Sequence, residues 1–229
     1  MDRRGCVVMA VALAVTALGL GGAAHRVAAE DAAPDSLEAL MTAFAASGGV
    51  RARFREARYL SLLDQPLESA GELYFAPPDR LARRTTQPGL ARVVVRGDRV
   101  AFQDELGHQT LDLASSEVAR GLVGNLRVLL RGDAVELRER YDARFTPEDG
   151  GWLLELEPRS RVLRSLVEAI RVRGQGREMT EIETREASGD RTVLTLVAVE
   201  TGVVFSEVEA EQIFSLVAAP LGAATSPAP

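Results

Sequence analysis

Side chains able to make or break bonds are scarce in this chain, and that scarcity narrows its chemistry. The histidines are His25 and His108, and the one cysteine is Cys6. His108 follows Gly107 as a turn residue would, and no G-x-S-x-G elbow supplies a nucleophile for it. The chain has no H-E-x-x-H, no phosphate-cradling glycine loop and no dinucleotide-binding fingerprint. One histidine and no cysteine remain beyond residue 29, which argues against a transition-metal site. No cofactor is expected. Carboxylates are the remaining candidates for catalysis, since 33 acidic residues could supply a pair for hydrolysis. Most of them alternate along strand-like runs, where they read as a solvated sheet face. All 27 basic residues are arginine. Arg51, Arg53 and Arg55, and the pair Arg83-Arg84, could bind anions, but on alternating strands they read first as surface arginines. R-G-D occurs at Arg96–Asp98 and Arg131–Asp133, read as a hairpin turn and a helix exit and not as adhesion motifs. Net charge is −6 and no aromatic-plus-basic patch stands out, so nucleic acid is not an expected partner.

The first 29 residues read as a signal peptide. Arg3 and Arg4 precede an uncharged run from Gly5 to Ala24, and small-residue sites follow at Gly22-Ala23-Ala24 and Val27-Ala28-Ala29. An uncleaved anchor helix is the competing reading; the alanine and glycine content and the A-x-A-like site favour cleavage and a periplasmic protein. Cys6 lies too early to be a lipidation site. A single domain is expected over residues 30–217, and a disordered Pro/Ala tail over 218–229.

Strand-like runs fill most of that domain. Ser36 is a candidate N-cap for a helix over 36–47, with Leu37, Leu40, Met41 and Phe44 at helical spacing. Val50–Leu63 reads as a long strand. Glu68–Phe75 and Arg80–Thr86 flank an Ala76-Pro77-Pro78-Asp79 corner, and prolines 66 and 88 close the outer ends. Ala91–Arg96, the turn Gly97-Asp98 and Arg99–Asp104 form a hairpin, followed by a short strand around Thr110–Leu113. Ser115–Arg131 reads as a helix with Leu122, Leu126, Leu129 and Leu130 on one side, either a core helix or a movable cover. A short helix is expected at Ala134–Arg138. Further strands are expected at Tyr141–Pro147, Trp152–Glu157, Leu166–Arg173, Glu178–Glu186 and Arg191–Val199, with a last one at Ile213–Leu216. Ten or eleven strands with few helices imply an α+β protein. Its architecture would be one strongly curved antiparallel sheet, an open half-barrel with helices covering the concave apolar face.

Several stretches resemble LolA-type periplasmic outer-membrane lipoprotein carriers. P-L-E-S-A-G-E-L-Y-F, A-P-P-D-R-L and T-Q-P (66–88) resemble their second and third strands. The Gly97-Asp98 hairpin, the leucine-rich helix ending R-G-D, W-L-L-E-L-E-P at 152–158 and G-D-R-T before the strand at 191 add to the likeness, which covers roughly 36–216. The resemblance implies a non-enzymatic carrier, acting as a monomer, that shields the acyl chains of a lipoprotein or related cargo. An inner-membrane exporter would be its donor and an outer-membrane receptor its acceptor. The chain departs from the pattern where such carriers hold a lid: Pro77 takes the place of an arginine, and Arg83 replaces a third-strand aromatic. It resembles most a divergent branch that the likeness links to glycolipid or aryl-polyene pathways, and a sensor of the same fold is a further reading, as is a carboxylate-dependent hydrolase.

On this reading the cavity candidates are Phe54, Leu73, Phe75, Leu81, Val93, Val95, Phe102, Leu122, Leu126, Leu129, Trp152, Leu154 and Leu156. A register slip of one residue would exchange half of them. The lid and latch candidates are Pro77, Arg80, Arg83, Gly121 and Gly124. Burial contributes about 0.8 kcal/mol per CH₂, so a sixteen-carbon chain represents roughly 12 kcal/mol gross. A lid whose own leucines fill the empty cavity would offset part of that and allow release.

Overall fold

The computed structural model describes residues 34–113, 128 and 131–218. Helix α1 (Leu37–Ala46) begins where Ser36 accepts a hydrogen bond from the Ala39 amide, and it buries Leu37, Leu40, Met41 and Phe44. Six strands follow: β1 (Val50–Tyr59), β2 (Leu67–Ala76), β3 (Arg80–Gln87), β4 (Ala91–Arg96), β5 (Arg99–Asp104) and β6 (Gly107–Asp112). Beyond them lie α2 (Ala134–Arg140), β7 (Tyr141–Glu148), β8 (Gly151–Pro158), the short α3 (Arg161–Arg164), β9 (Val167–Gln175), β10 (Glu178–Glu186), β11 (Arg191–Thr201) and α4 (Glu207–Phe214). The eleven strands form one antiparallel sheet in the order β6-β5-β4-β3-β2-β1-β11-β10-β9-β8-β7. Among the described residues only the β1–β11 pair joins strands distant in sequence. β6 and β7 remain as edges, so the sheet is an open half-barrel, as expected.

Two expected elements differ from those observed. β1 ends at Tyr59 and not at Leu63, because the backbone beyond it is used in a turn. The Leu63 amide donates to the Leu60 carbonyl at 3.0 Å, and the Ser61 amide to Asp190 Oδ1 at 2.9 Å. The strand expected at Ile213–Leu216 is instead the end of α4. A capping box between Ser206 and Glu209 starts this helix, and Ile213 and Phe214 are buried by it. The helix expected over 115–131 lies outside the described residues apart from Val128 and Arg131. The segment 1–29 and the tail beyond residue 218 lie outside them too.

Period-2 alternation gives the sheet two differently covered faces. The inner face carries Ala52, Phe54, Leu73, Trp152, Leu154, Leu156, Val172, Ile182, Leu194 and Leu196, packed against α1 and against Leu137 of α2. Arg138 of α2 pairs with Glu38 of α1. Trp152 is fully buried, with Phe145 stacked on it and Phe44 edge-on; its Nε1 donates to the Gly176 carbonyl at 2.9 Å. On the outer face α4 covers Tyr74, Ala76, Ala82, Val94 and Ala101 with Ile213 and Phe214. Arg92 donates to the carbonyls of Gln212, Ile213, Ser215 and Val217 and so holds the end of this helix. His108 Nε2 lies 3.0 Å from the Leu216 carbonyl, which gives this histidine a structural place beside the C-terminal segment.

Two glycines are set by close approach. Gly132, in the second R-G-D, has φ +68° and sits where a Cβ would lie 2.0 Å from the Met41 carbonyl oxygen of α1. The backbone of that triplet packs against α1 at Gly132, while Arg131 and Asp133 are exposed. At Gly174 a Cβ would lie 2.1 Å from the Trp152 ring.

Gly174→Ala is expected to destabilise the protein by about 1–3 kcal/mol, the usual range for overpacking. A lower urea midpoint with an unchanged slope would show it. A second prediction concerns Tyr74, whose hydroxyl donates to Glu72 at 2.9 Å. Burial and then the Glu72 carboxylate push its phenol from 10.0 up to about 12. Its contribution to stability is therefore complete below pH 10 and is lost as pH rises through 12. Tyr74→Phe should flatten that part of the alkaline stability profile, as read by denaturant titration at successive pH values.

Candidate functional site

The inner face is the candidate site, and strand register fixes which side chains share it. One row across the sheet runs Val50, Phe75, Leu81, Val95, Val100, Leu111. The next runs Ala52, Leu73, Arg83, Val93, Phe102, Gln109. On the other side of β1, Phe54 faces Leu196, and the next row runs Glu56, Leu194, Ile182, Val172, Leu154, Phe145. The ten described cavity candidates all occupy this face, and all but the half-buried Phe102 are buried. Phe54, Leu73, Trp152, Leu154 and Leu156 belong to the cluster beneath α1 and α2. Phe75, Leu81, Val93 and Val95 belong to a second cluster with Val50, Val100 and Leu113, against which Phe102 packs. Leu122, Leu126 and Leu129 lie outside the described residues, as do Gly121 and Gly124.

Arg83 overturns the reading of the Arg83-Arg84 pair as surface arginines. It is 7 % exposed and Glu56 is 8 % exposed. Arg83 Nη1 donates to Glu56 Oε2 at 2.7 Å, and Nη2 donates to Oε1 at 3.0 Å. Ser69 Oγ accepts from Nη2 at 3.2 Å and donates to Glu56 Oε1 at 3.1 Å. Nε reaches Thr85 Oγ1 at 3.5 Å. The guanidinium also lies 4.2 Å from the centre of the Phe54 ring. A charge withdrawn from water needs this kind of complete partnering. Both carboxylate oxygens are engaged, so the pair offers no open acid or base for hydrolysis.

The signal for Glu56 was present in V-R-A-R-F-R-E, where it shares parity with Val50, Ala52 and Phe54. The same parity carries on to Arg58, whose cross-strand partner is the buried Thr192. The inner face is thus apolar over most of its length and polar toward the end of β1. The other latch candidates stand elsewhere. Pro77 lies exposed in the β2–β3 turn. The Arg80 guanidinium sits 5.4 Å from the Phe214 ring on the outer face. Two grooves of about 620 and 790 Å³ are lined mainly by outward residues of β1, β2 and β3, among them Arg53, Arg55, Arg84, Glu68 and Gln87. Neither belongs to the inner face. Among the described residues no group of His, Cys, Asp and Glu is placed to hold a metal ion, and no helix is long and apolar enough to cross a membrane.

The family described as "Outer membrane lipoprotein carrier protein LolA-like" matches residues 27–216 of this chain. No curated protein matches it. Among solved structures, a LolA superfamily protein of Nitrosomonas europaea is 12% identical, with TM-score 0.46, covering 80% of this chain and 98% of that one. The MucA/MucB complex of Pseudomonas aeruginosa contains a chain 15% identical, with TM-score 0.44, covering 79% of this chain and 58% of that one. An outer membrane lipoprotein-sorting protein domain of Vibrio parahaemolyticus is 8% identical, with TM-score 0.41 and coverages of 77% and 95%.

Removing one member of a buried, fully partnered ion pair costs about 3–5 kcal/mol, whereas replacing both by apolar residues is often neutral. Arg83→Met alone should therefore destabilise strongly. Glu56→Leu combined with Arg83→Met should recover most of the loss, as measured by a double-mutant cycle in chemical denaturation.

Proposed function

The chain belongs to the LolA-like outer-membrane lipoprotein carrier family, and from that membership we propose that it is a periplasmic carrier of acylated cargo. It would receive a lipoprotein or a related lipid-like molecule from an inner-membrane exporter. It would then shield the acyl chains against its inner face and deliver them to an outer-membrane receptor. The observation that carries this reading is the inner face itself: two adjoining apolar clusters on one side of an open sheet. Acyl chains need such a surface, because apolar burial is non-directional and grows with the area removed from water. The residues proposed to meet the cargo are the described cavity candidates. Removal of residues 1–29 as a signal peptide would bring the domain at 30–217 to the periplasm, and the remainder beyond it would be a tail.

The Glu56–Arg83 pair gives a specific reason to weigh a glycolipid-like cargo beside a lipoprotein one. It places charge and hydroxyls within a surface otherwise suited to hydrocarbon, and amphiphiles with polar head groups match that division.

The protein isolated from the envelope of producing cells, extracted with organic solvent, is expected to yield acylated peptide or lipid in stoichiometric amount by mass spectrometry. The extract would identify the cargo class. An empty protein that also leaves the emission of an apolar fluorescent probe unchanged would overturn the carrier reading.

A further inference from the structure

Every exposed leucine among the described residues lies at one end of the sheet. Leu62 is 94 % exposed and Leu106 79 %, followed by Leu67, Leu63 and Leu166. Leu62 and Leu63 belong to the β1–β2 connection, Leu67 opens β2, Leu106 belongs to the β5–β6 turn, and Leu166 immediately precedes β9. Antiparallel pairing throughout puts the end of β1, the end of β5 and the start of β9 on the same rim. The opposite rim is built differently. Its hairpin turns are Pro77-Pro78-Asp79, Gly97-Asp98, Asp149-Gly150 and Gly176-Arg177, which hold no large apolar side chain, and it exposes Val204 beyond β11 but no leucine.

The leucine rim is braced. Asp190, in the β10–β11 turn, accepts from the Ser61 amide, and the Leu63 amide closes a turn on the Leu60 carbonyl. The Arg191 guanidinium stacks 4.2 Å from the ring of the partly exposed Tyr59. Arg161 and Arg164 are exposed beside Leu166 and make no ion pair among the described residues.

We propose that this rim docks the protein on a phospholipid bilayer, with Leu62, Leu63, Leu67, Leu106 and Leu166 entering the boundary between head groups and acyl chains. Arg161 and Arg164 face the phosphodiesters. A folded protein partner or a second copy fits less well. The leucines stand on three separate connections with Asp64, Glu68 and Glu105 between them, whereas a stable protein interface needs about 800 Å² of contiguous surface per partner. A bilayer has no such requirement, because each side chain inserts independently and contributes by its own buried methylenes. The proposal concerns where the molecule sits and not what it holds, so it stands apart from the cargo reading.

Trp152 is fully buried and gives a constant background for a tryptophan reporter. Leu62→Trp and, on the opposite rim, Val204→Trp would each be placed in the full chain and mixed with phosphatidylethanolamine–phosphatidylglycerol vesicles carrying brominated acyl chains. Val204 is 91 % exposed, so both reporters start in water. A tether through the apolar N-terminal run acts on the two alike. Quenching several-fold greater for Leu62→Trp, and reduced when Leu63→Asp and Leu106→Asp are added, is the expected result. Equal quenching of the two reporters, or none, would overturn the proposal. So would a blue shift of Leu62→Trp that grows with protein concentration in the absence of lipid, since that marks association between copies.

Discussion

The pairing of β1 with β11 makes this protein one object. Every other strand contact joins neighbours in sequence, so without it the chain would be two separate meanders, β1–β6 and β7–β11. With it, β1 is hydrogen-bonded on both sides, to β2 from Val50 to Arg58 and to β11 from Val50 to Tyr59. One register shift interrupts the β11 ladder between Arg51 and Arg53, and Ala198 at φ 50° lies in the bulge opposite it. Bulges bend the strand that carries them, which suits a sheet that must curve. Splitting the pair would also open two new strand edges, each a template for aggregation.

Joining the halves creates a single inner face, and the Glu56–Arg83 pair sits among its central strands, toward the end of β1. Its guanidinium, on β3, reaches past β2 to a carboxylate on β1 and lies over Phe54. A buried ion pair of this kind contributes little net stability compared with an apolar replacement. Its strength is in constraint: two parallel hydrogen bonds, two hydroxyls and one ring face fix the relative placement of three strands. The apolar surface on either side is then held in a defined shape while the edges β6 and β7 stay unjoined.

Much of this was legible locally. Alternation in G-E-L-Y-F and W-L-L-E-L-E placed Leu73, Phe75, Trp152, Leu154 and Leu156 on one parity, and the structure puts all five on the inner face. Turn chemistry marked the Gly97-Asp98 hairpin, and Ser36 marked the start of α1. The end of β1 was harder to read, because Leu62 and Leu63 look like strand residues until Asp190 draws the Ser61 amide into a turn. Ile213 and Phe214 were also ambiguous, since a short apolar run does not distinguish a strand from the last turn of a helix.

The sequence by itself determined the elements and their parities, because a strand's facing follows from a two-residue period and a helix's from caps and spacing of three to four. It also carried the family, in motifs spread from the β2–β3 corner to β11. Tertiary structure alone decided that Arg83 is buried and that Glu56 is its partner 27 residues away. It alone gathered the exposed leucines of three distant connections onto one rim. Such facts depend on which strands become neighbours, and that choice is made by the joint burial of whole faces and not by any local run of residues.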